Sequence, residues 1–251
     1  MRRLLLTVRY VGTAYHGWQM QKNAVTVQSV LQDALAKTLG EEITVHGCSR
    51  TDAGVHALTY CLHFDTASQI PEKGIVMMLN RYLPDDIAAL DCRTVPDDFH
   101  AQYSCKGKLY EYRIYTGNVR DPFRHSRCWH YPYKLDAQLM DRAARHIVGR
   151  KDFRAFCATG GNTEDTVRNV THVSVRAEGD ETVVSVAADG FLYNMVRIIV
   201  GTLVYVSQGK IAEDELPQII ESRDRTRAGI TAPPCGLCLS KVFYEGCDGN
   251  G

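Results

Sequence analysis

One element order, run through twice, constrains this chain more than any other feature of its sequence. In the first run, LLLTVRY (4–10) reads as a strand and the glycine- and aromatic-rich VGTAYHGWQMQKN as a loop. From Thr26, apolar residues recur at Val27, Val30, Leu31, Ala34 and Leu35, the spacing of one helix face, with Gly40 as the stop. ITVHG (43–47) and TYCLHFD (59–65) read as strands. EKGIVMMLNRYL (72–83) reads as a helix ended by Pro84, and IAALDCRTV (87–95) as a strand. The order is β-α-β-β-α-β.

The second run starts with a long strand, SCKGKLYEYRIY (104–115), followed by a helix over 136–148 with Leu139, Ala143 and Ile147 on one face. A hairpin spans 171–191 and turns at Glu178–Asp180. FLYNMVRIIVGTLVYVSQGK (191–210) is a strongly apolar helix, AEDELPQIIES (212–222) a shorter one interrupted by Pro217, and GLCLSKVFY (236–244) a closing strand. No sequence repeat accompanies the repeated order. Two split β-α-β units side by side imply an α+β fold: two ferredoxin-like halves, 1–102 and 103–251, sharing one continuous, mainly antiparallel sheet with helices on one face. No low-complexity linker separates the halves.

The formal net charge over 251 residues is zero, so composition announces no nucleic-acid partner and any basic surface is local. Basic and aromatic residues do cluster in RDPFRHSRCWHYPY (120–133), followed by Arg142, Arg145, Arg150, Lys151 and Arg154, a mixture that suits phosphate contacts and base stacking as well as a solvated face. The nine cysteines are irregularly spaced and no export leader precedes them, which points to free thiols in a reducing cytoplasm. No stretch reaches the roughly 18 apolar residues of a membrane span. Cys235 and Cys238 form one C-x-x-C without a second pair at zinc spacing, and no nucleotide-binding or hydrolase motif occurs. Neither a metal nor a cofactor is called for.

Three residues stand out chemically. Asp52, in GCSRTDAGVHA (47–57), sits in a turn between strands, two residues after Arg50. Spacing alone favours a surface turn residue paired with Arg50 over a carboxylate presented to a cleft and kept ionised by a nearby cation. Arg197 lies inside MVRIIVG, where a guanidinium needs either a route to solvent or a carboxylate partner. Tyr110 shares one strand face with Tyr112 and Ile114, opposite Leu109, Glu111, Arg113 and Tyr115.

Six blocks occur in an order that resembles the TruA-type tRNA pseudouridine synthases. They are Gly12 with Tyr15-His16-Gly17-Trp18-Gln19, then Arg50-Thr51-Asp52-Ala53-Gly54-Val55-His56, Phe99-His100-Ala101, Leu109-Tyr110-Glu111-Tyr112, Phe191 with Met195-Val196-Arg197 and Gly201, and Gly236-Leu237-Cys238-Leu239. The resemblance runs from about residue 4 to 244. It implies an isomerase that converts uridine to pseudouridine at positions 38, 39 and 40 of the tRNA anticodon stem-loop, without metal or cofactor, as a cytoplasmic homodimer. The family's invariant aspartate falls on Asp52, its active-site tyrosine on Tyr110 and its aspartate-pairing arginine on Arg197. Arg50 is then expected to help flip the target base and Leu237 to line the pocket, with Gln19 and His56 from the same blocks as substrate-binding residues and a central cleft as the RNA site. Gln102 stands where the family usually has arginine, and His16 where it usually has an aromatic. The first alternative is the same chemistry on a different RNA or at other tRNA positions; the others are an RNA-binding or chaperone module without catalysis and a thiol or zinc enzyme. The joint presence of Asp52, Tyr110 and Arg197 argues against the module without catalysis.

Overall fold

The computed structural model describes residues 1–160 and 163–245. The first run of elements is β1 (Arg2–Tyr10), α1 (Val27–Leu39), β2 (His46–Gly47), β3 (His56–Thr66), α2 (Glu72–Leu79) and β4 (Ile87–Val95). The second is β5 (Cys105–Tyr115), β6 (Trp129–His130), α3 (Ala137–Ala144), β7 (Gly149–Asp152), β8 (Val167–Glu178), β9 (Glu181–Ala188), α4 (Met195–Ser207), α5 (Leu216–Ser222) and β10 (Leu237–Tyr244). Two compact units result. One combines Met1–Lys106 with the segment that begins at Cys238, and the other is Gly107–Leu237.

In the first unit, β1 is flanked by β4 and β3, both antiparallel to it. β3 also takes β2 antiparallel and β10 parallel, the latter at Cys238↔His56 and Leu239↔Ala57. Period-two alternation puts Leu4, Leu6 and Val8 of β1 opposite Phe64, Leu62 and Tyr60 of β3, all buried. α1 buries Val27, Leu31, Ala34 and Leu35, and α2 buries Ile75 and Leu79. Across the sheet, Leu5 and His63 are paired and equally buried. The Phe99–Ser104 segment covers that side: His63 Nδ1 accepts the Ala101 N–H (3.1 Å), and the Tyr244 hydroxyl donates to the Ala101 carbonyl (2.7 Å).

Sequence signals mark α1 well. Thr26 is its N-cap in a reciprocal box with Ser29, and Gly40 ends it at φ 72°. Several expectations need correction here and in the second unit. The strand expected over 43–47 shrinks to His46–Gly47, because α1 side chains bond Val45 instead: Gln32 Oε1 accepts its N–H and Gln28 Nε2 donates to its carbonyl, both at 3.2 Å. The helix expected to Leu83 stops at Leu79, since the Asn80 side chain pairs both backbone groups of Ala89. Pro217 does not interrupt a helix. It stands in the first turn of α5, where its missing N–H costs nothing.

The second unit orders its strands β5-β9-β8-β7, all antiparallel, with β6 parallel to β5 at Ile114↔Trp129. β7 has no counterpart in the expected order. Tyr110, Tyr112 and Ile114 are buried on one face as the alternation requires. On the other face Arg113 bridges Glu178 and Glu181 at the hairpin end, and Arg176 bridges Glu111 and Glu178, which offsets the like charges facing each other. α4, buried on almost every side, starts at Met195 rather than 191 because Asn194 turns left-handed before it, at φ 59°. A chain segment crosses α4 where Gly201 and Gly229 remove their side chains: a Cβ on Gly201 would lie 1.8 Å from the Ile230 carbonyl oxygen.

Candidate active site

Residues 52–55 close a turn in which the Asp52 carbonyl accepts the Val55 N–H (3.1 Å). Gly54 supplies φ 79°, the left-handed value that the third position of a type II turn needs. A second loop, residues 12–18, grips this turn through the main chain. The Trp18 N–H donates to the Thr51 carbonyl (3.1 Å) and the Gly54 N–H to the Tyr15 carbonyl (3.3 Å). Gly17 (φ 84°) lies so close that a Cβ would sit 2.5 Å from the Thr51 oxygen, and one on Gly12 would sit 1.9 Å from the Val55 oxygen. The gripping loop is anchored in turn by α1, whose first N–H groups, at Val27 and Gln28, donate to the Gly17 and Trp18 carbonyls. Trp18 stacks on Tyr60 (4.1 Å between centroids), whose hydroxyl donates to the Ser49 carbonyl, and the hydroxyls of Tyr10 and Thr51 bond each other (2.9 Å).

Asp52 is half-buried at the front of this clamp and Arg50 is exposed beside it. His56, the first residue of β3, is 7% exposed, with Nδ1 accepting the Gly12 N–H (3.0 Å), a bond that ties the two loops together. Gln19 is exposed and donates to Gln28 Oε1 (3.1 Å).

Tyr110, Arg197 and Leu237 belong to the second unit. Tyr110 is 5% exposed and meets Phe191 edge-on at 5.0 Å. Arg197 is half-buried on α4. Its Nε donates to the Ala232 carbonyl and its Nη1 to Asn194 Oδ1, both at 2.7 Å, while its own carbonyl accepts the Ala232 N–H (3.1 Å). Leu237 is buried at the first position of β10. Tyr112, two residues beyond Tyr110, donates to the Pro233 carbonyl (2.6 Å), and burial pushes its phenol above the usual range.

The family model described as tRNA pseudouridine synthase matches residues 6–104 and 143–245, which include Asp52 and Arg197. The chain belongs to the tRNA pseudouridine synthase family. A tRNA pseudouridine synthase A from Thermoanaerobacter sp. (strain X514) is 49% identical over 244 residues, covering 97% of this chain and 100% of that one. The protein of that name from Ruminiclostridium cellulolyticum is 49% identical over 245 residues with the same coverage. tRNA pseudouridine synthase A 2 from Clostridium perfringens is 43% identical over 244 residues, again across 97% and 100%. Among solved structures, a Cbf5–Nop10–Gar1 complex matches at TM-score 0.36 and 12% identity, covering 95% of this chain and 59% of that one, too weak a likeness to bear on the fold.

For a tRNA pseudouridine synthase, the basic residues differ from a simple patch. Arg124 pairs with Asp121 and Glu181 and lies over the Tyr115 ring, Arg142 pairs with Glu213, and Arg145 with Asp141. Lys151 donates to the His146 carbonyl. Arg120, Arg127, Arg150 and Arg154 are exposed and enter no ion pair among the described residues. Gln102 is exposed, with its N–H bonded to His100 Nδ1. Eight cysteines are free thiols, and Cys247 lies outside the described residues. No helix among the described residues is long and apolar enough to cross a membrane. Sequence reasoning missed Asn194 and Ala232. The asparagine before α4 was a visible signal, whereas nothing local marks Ala232.

Proposed function

We propose that this chain converts uridine to pseudouridine in tRNA, at positions 38, 39 and 40 of the anticodon stem-loop. The reaction breaks the N1–C1′ bond and forms a C5–C1′ bond; C5 loses a proton and N1 gains one, so no net oxidation occurs. The target nucleotide first leaves its stack, and the exposed Arg50 assists that step. Asp52 then acts as nucleophile or base. Arg197 keeps its carboxylate ionised and oriented, and the two acceptors of the Arg197 fork named above are themselves neutral. Tyr110 stacks on the uracil and its hydroxyl takes the C5 proton. Because Tyr110 is buried, the base reaches it by displacing what covers it. Leu237 lines the same pocket, Gln19 contacts the RNA, and His56 supports the site by tying the two loops together.

The observation that carries this reading is the turn itself: two glycine-bearing loops interlock through their main chains, with a carboxylate at the front. Asp52→Asn keeps shape and loses charge. Pseudouridine formation should vanish while tRNA binding holds, and measurable turnover would remove Asp52 from the chemistry. Mapping pseudouridine in tRNA from cells with and without the gene tests the positions, and loss at sites other than 38, 39 and 40 would overturn them. A second copy is proposed to complete the tRNA cleft in the cytoplasm, since one subunit is small beside a tRNA. An active protein that sediments as a monomer at all working concentrations would overturn the dimer.

A further inference from the structure

Asn194 precedes α4 in the left-handed region, at φ 59°, and occupies the helix N-cap. An asparagine there ordinarily turns its side-chain oxygen onto an N–H of the first helical turn. Asn194 makes no such bond. Its Oδ1 instead accepts from Arg197 Nη1 at 2.7 Å, one turn along the helix. The second acceptor, the Ala232 carbonyl, takes Nε at 2.7 Å, and Ala232 is itself tied to the Arg197 carbonyl. Two bonds at different nitrogens of one planar group fix both its position and its rotation.

We infer that Asn194 is a positioning residue for the isomerisation: it sets the rotation of the Arg197 guanidinium with a neutral acceptor, leaving the positive charge to act on the reacting carboxylate. The inference rests on the reading in which Arg197 holds Asp52. Neutrality is the point of the choice. Tyr112 and Cys235, the titratable groups of the same unit whose ionisation Arg197 favours, are both pushed up by burial, so neither offsets its charge at neutral pH. An aspartate at 194 would keep the size, tolerate the left-handed backbone and serve as an equally good N-cap. It would also place an anion on the guanidinium and compete with Asp52.

Two substitutions separate this role from capping. Asn194→Gly suits the backbone and lacks the acceptor. Asn194→Asp keeps the acceptor and adds the charge. Both proteins should melt as the parent does and bind tRNA with parent affinity. Asn194→Gly should lower kcat about ten- to hundredfold with KM unchanged, the size of losing one hydrogen bond to a charged group. Asn194→Asp should lower kcat and move the acid limb of its pH profile to higher pH, because the carboxylate that Arg197 serves loses part of its counter-charge. Parent kcat in Asn194→Gly, a parent pH profile in Asn194→Asp, or a fall in activity matched by a fall in melting temperature would each overturn the inference. Asp52→Asn, assayed alongside, keeps the two claims apart. Turnover in Asp52→Asn sinks the underlying reading, whereas an inactive Asp52→Asn beside a parent-like Asn194→Gly sinks only the role of Asn194.

Discussion

The turn that carries Asp52 is braced by main chain on main chain: Trp18 onto Thr51, Gly54 onto Tyr15, and two glycines whose missing side chains let the loops touch. The start of α4 is braced the other way, by the Arg197 side chain on the Ala232 carbonyl. The main-chain bonds of this brace ask for no particular side chain at 52. A side-chain brace makes Arg197 part of the fold, so a change at 197 should cost stability whatever it does to turnover.

The largest break in this comparison should come from Gly12→Ala. Its Cβ would meet the Val55 carbonyl at 1.9 Å, so backbone must separate from backbone. About 3 kcal/mol or more of stability and most of the turnover should be lost. A urea midpoint equal to the parent's would show that the loops are not interlocked.

Acid tests a second brace in the same unit. His63 is buried and its pKa is lowered to about 4, chiefly by burial and then by the charges of His100 and His46. The folded value lies below the ordinary ~6.5, so the unfolded chain binds the proton more readily. Stability from this group is complete above about pH 6.5 and is lost as pH falls toward about 4, by roughly 2–3 kcal/mol in all. Denaturant melts between pH 7 and 4 should show that slope, and His63→Gln should flatten it. A slope unchanged by the substitution would assign the acid sensitivity elsewhere.

Arg197→Met sharpens the contrast with Asp52→Asn. It leaves the Ala232 carbonyl without its Arg197 side-chain donor and should cost about 1–3 kcal/mol besides abolishing turnover. Equal stability in the two variants would erase the distinction between the two kinds of brace. On β5, Tyr112→Phe removes the bond to Pro233 and should cost about 1 kcal/mol while leaving turnover near the parent's. Tyr110→Phe should do the reverse, with release of tritium from C5-labelled tRNA stalled. Release at the parent rate would take the Tyr110 hydroxyl out of the proton transfer. The smallest effect concerns RNA binding. Arg150→Ala should lower the salt slope of tRNA affinity by about one, and the ion-paired Arg142→Ala by less. Equal slopes would mean that Arg142 leaves Glu213 to meet the RNA.

Helix α1 was legible because its stripe, its Thr26 cap and its Gly40 stop all act within a few residues of one another. α2 and β2 were misjudged in length because Asn80, Gln28 and Gln32 reach backbone groups outside their own elements. The basic stretch after Arg120 was visible as composition. Which of its arginines are ion-paired was not, because Glu181 and Glu213 arrive from distant elements.

The sequence by itself determined the repeated β-α-β-β-α-β order and the chemical identity of Asp52, Tyr110 and Arg197, because periodicity and residue type are local properties. Only the tertiary structure decided that β10 returns to the first unit to lie parallel to β3, that Gly12 meets Val55, and that the Ala232 carbonyl meets the Arg197 guanidinium. Each of these depends on which segments pack together, and close packing of residues distant along the chain leaves no pattern in the stretch around either of them.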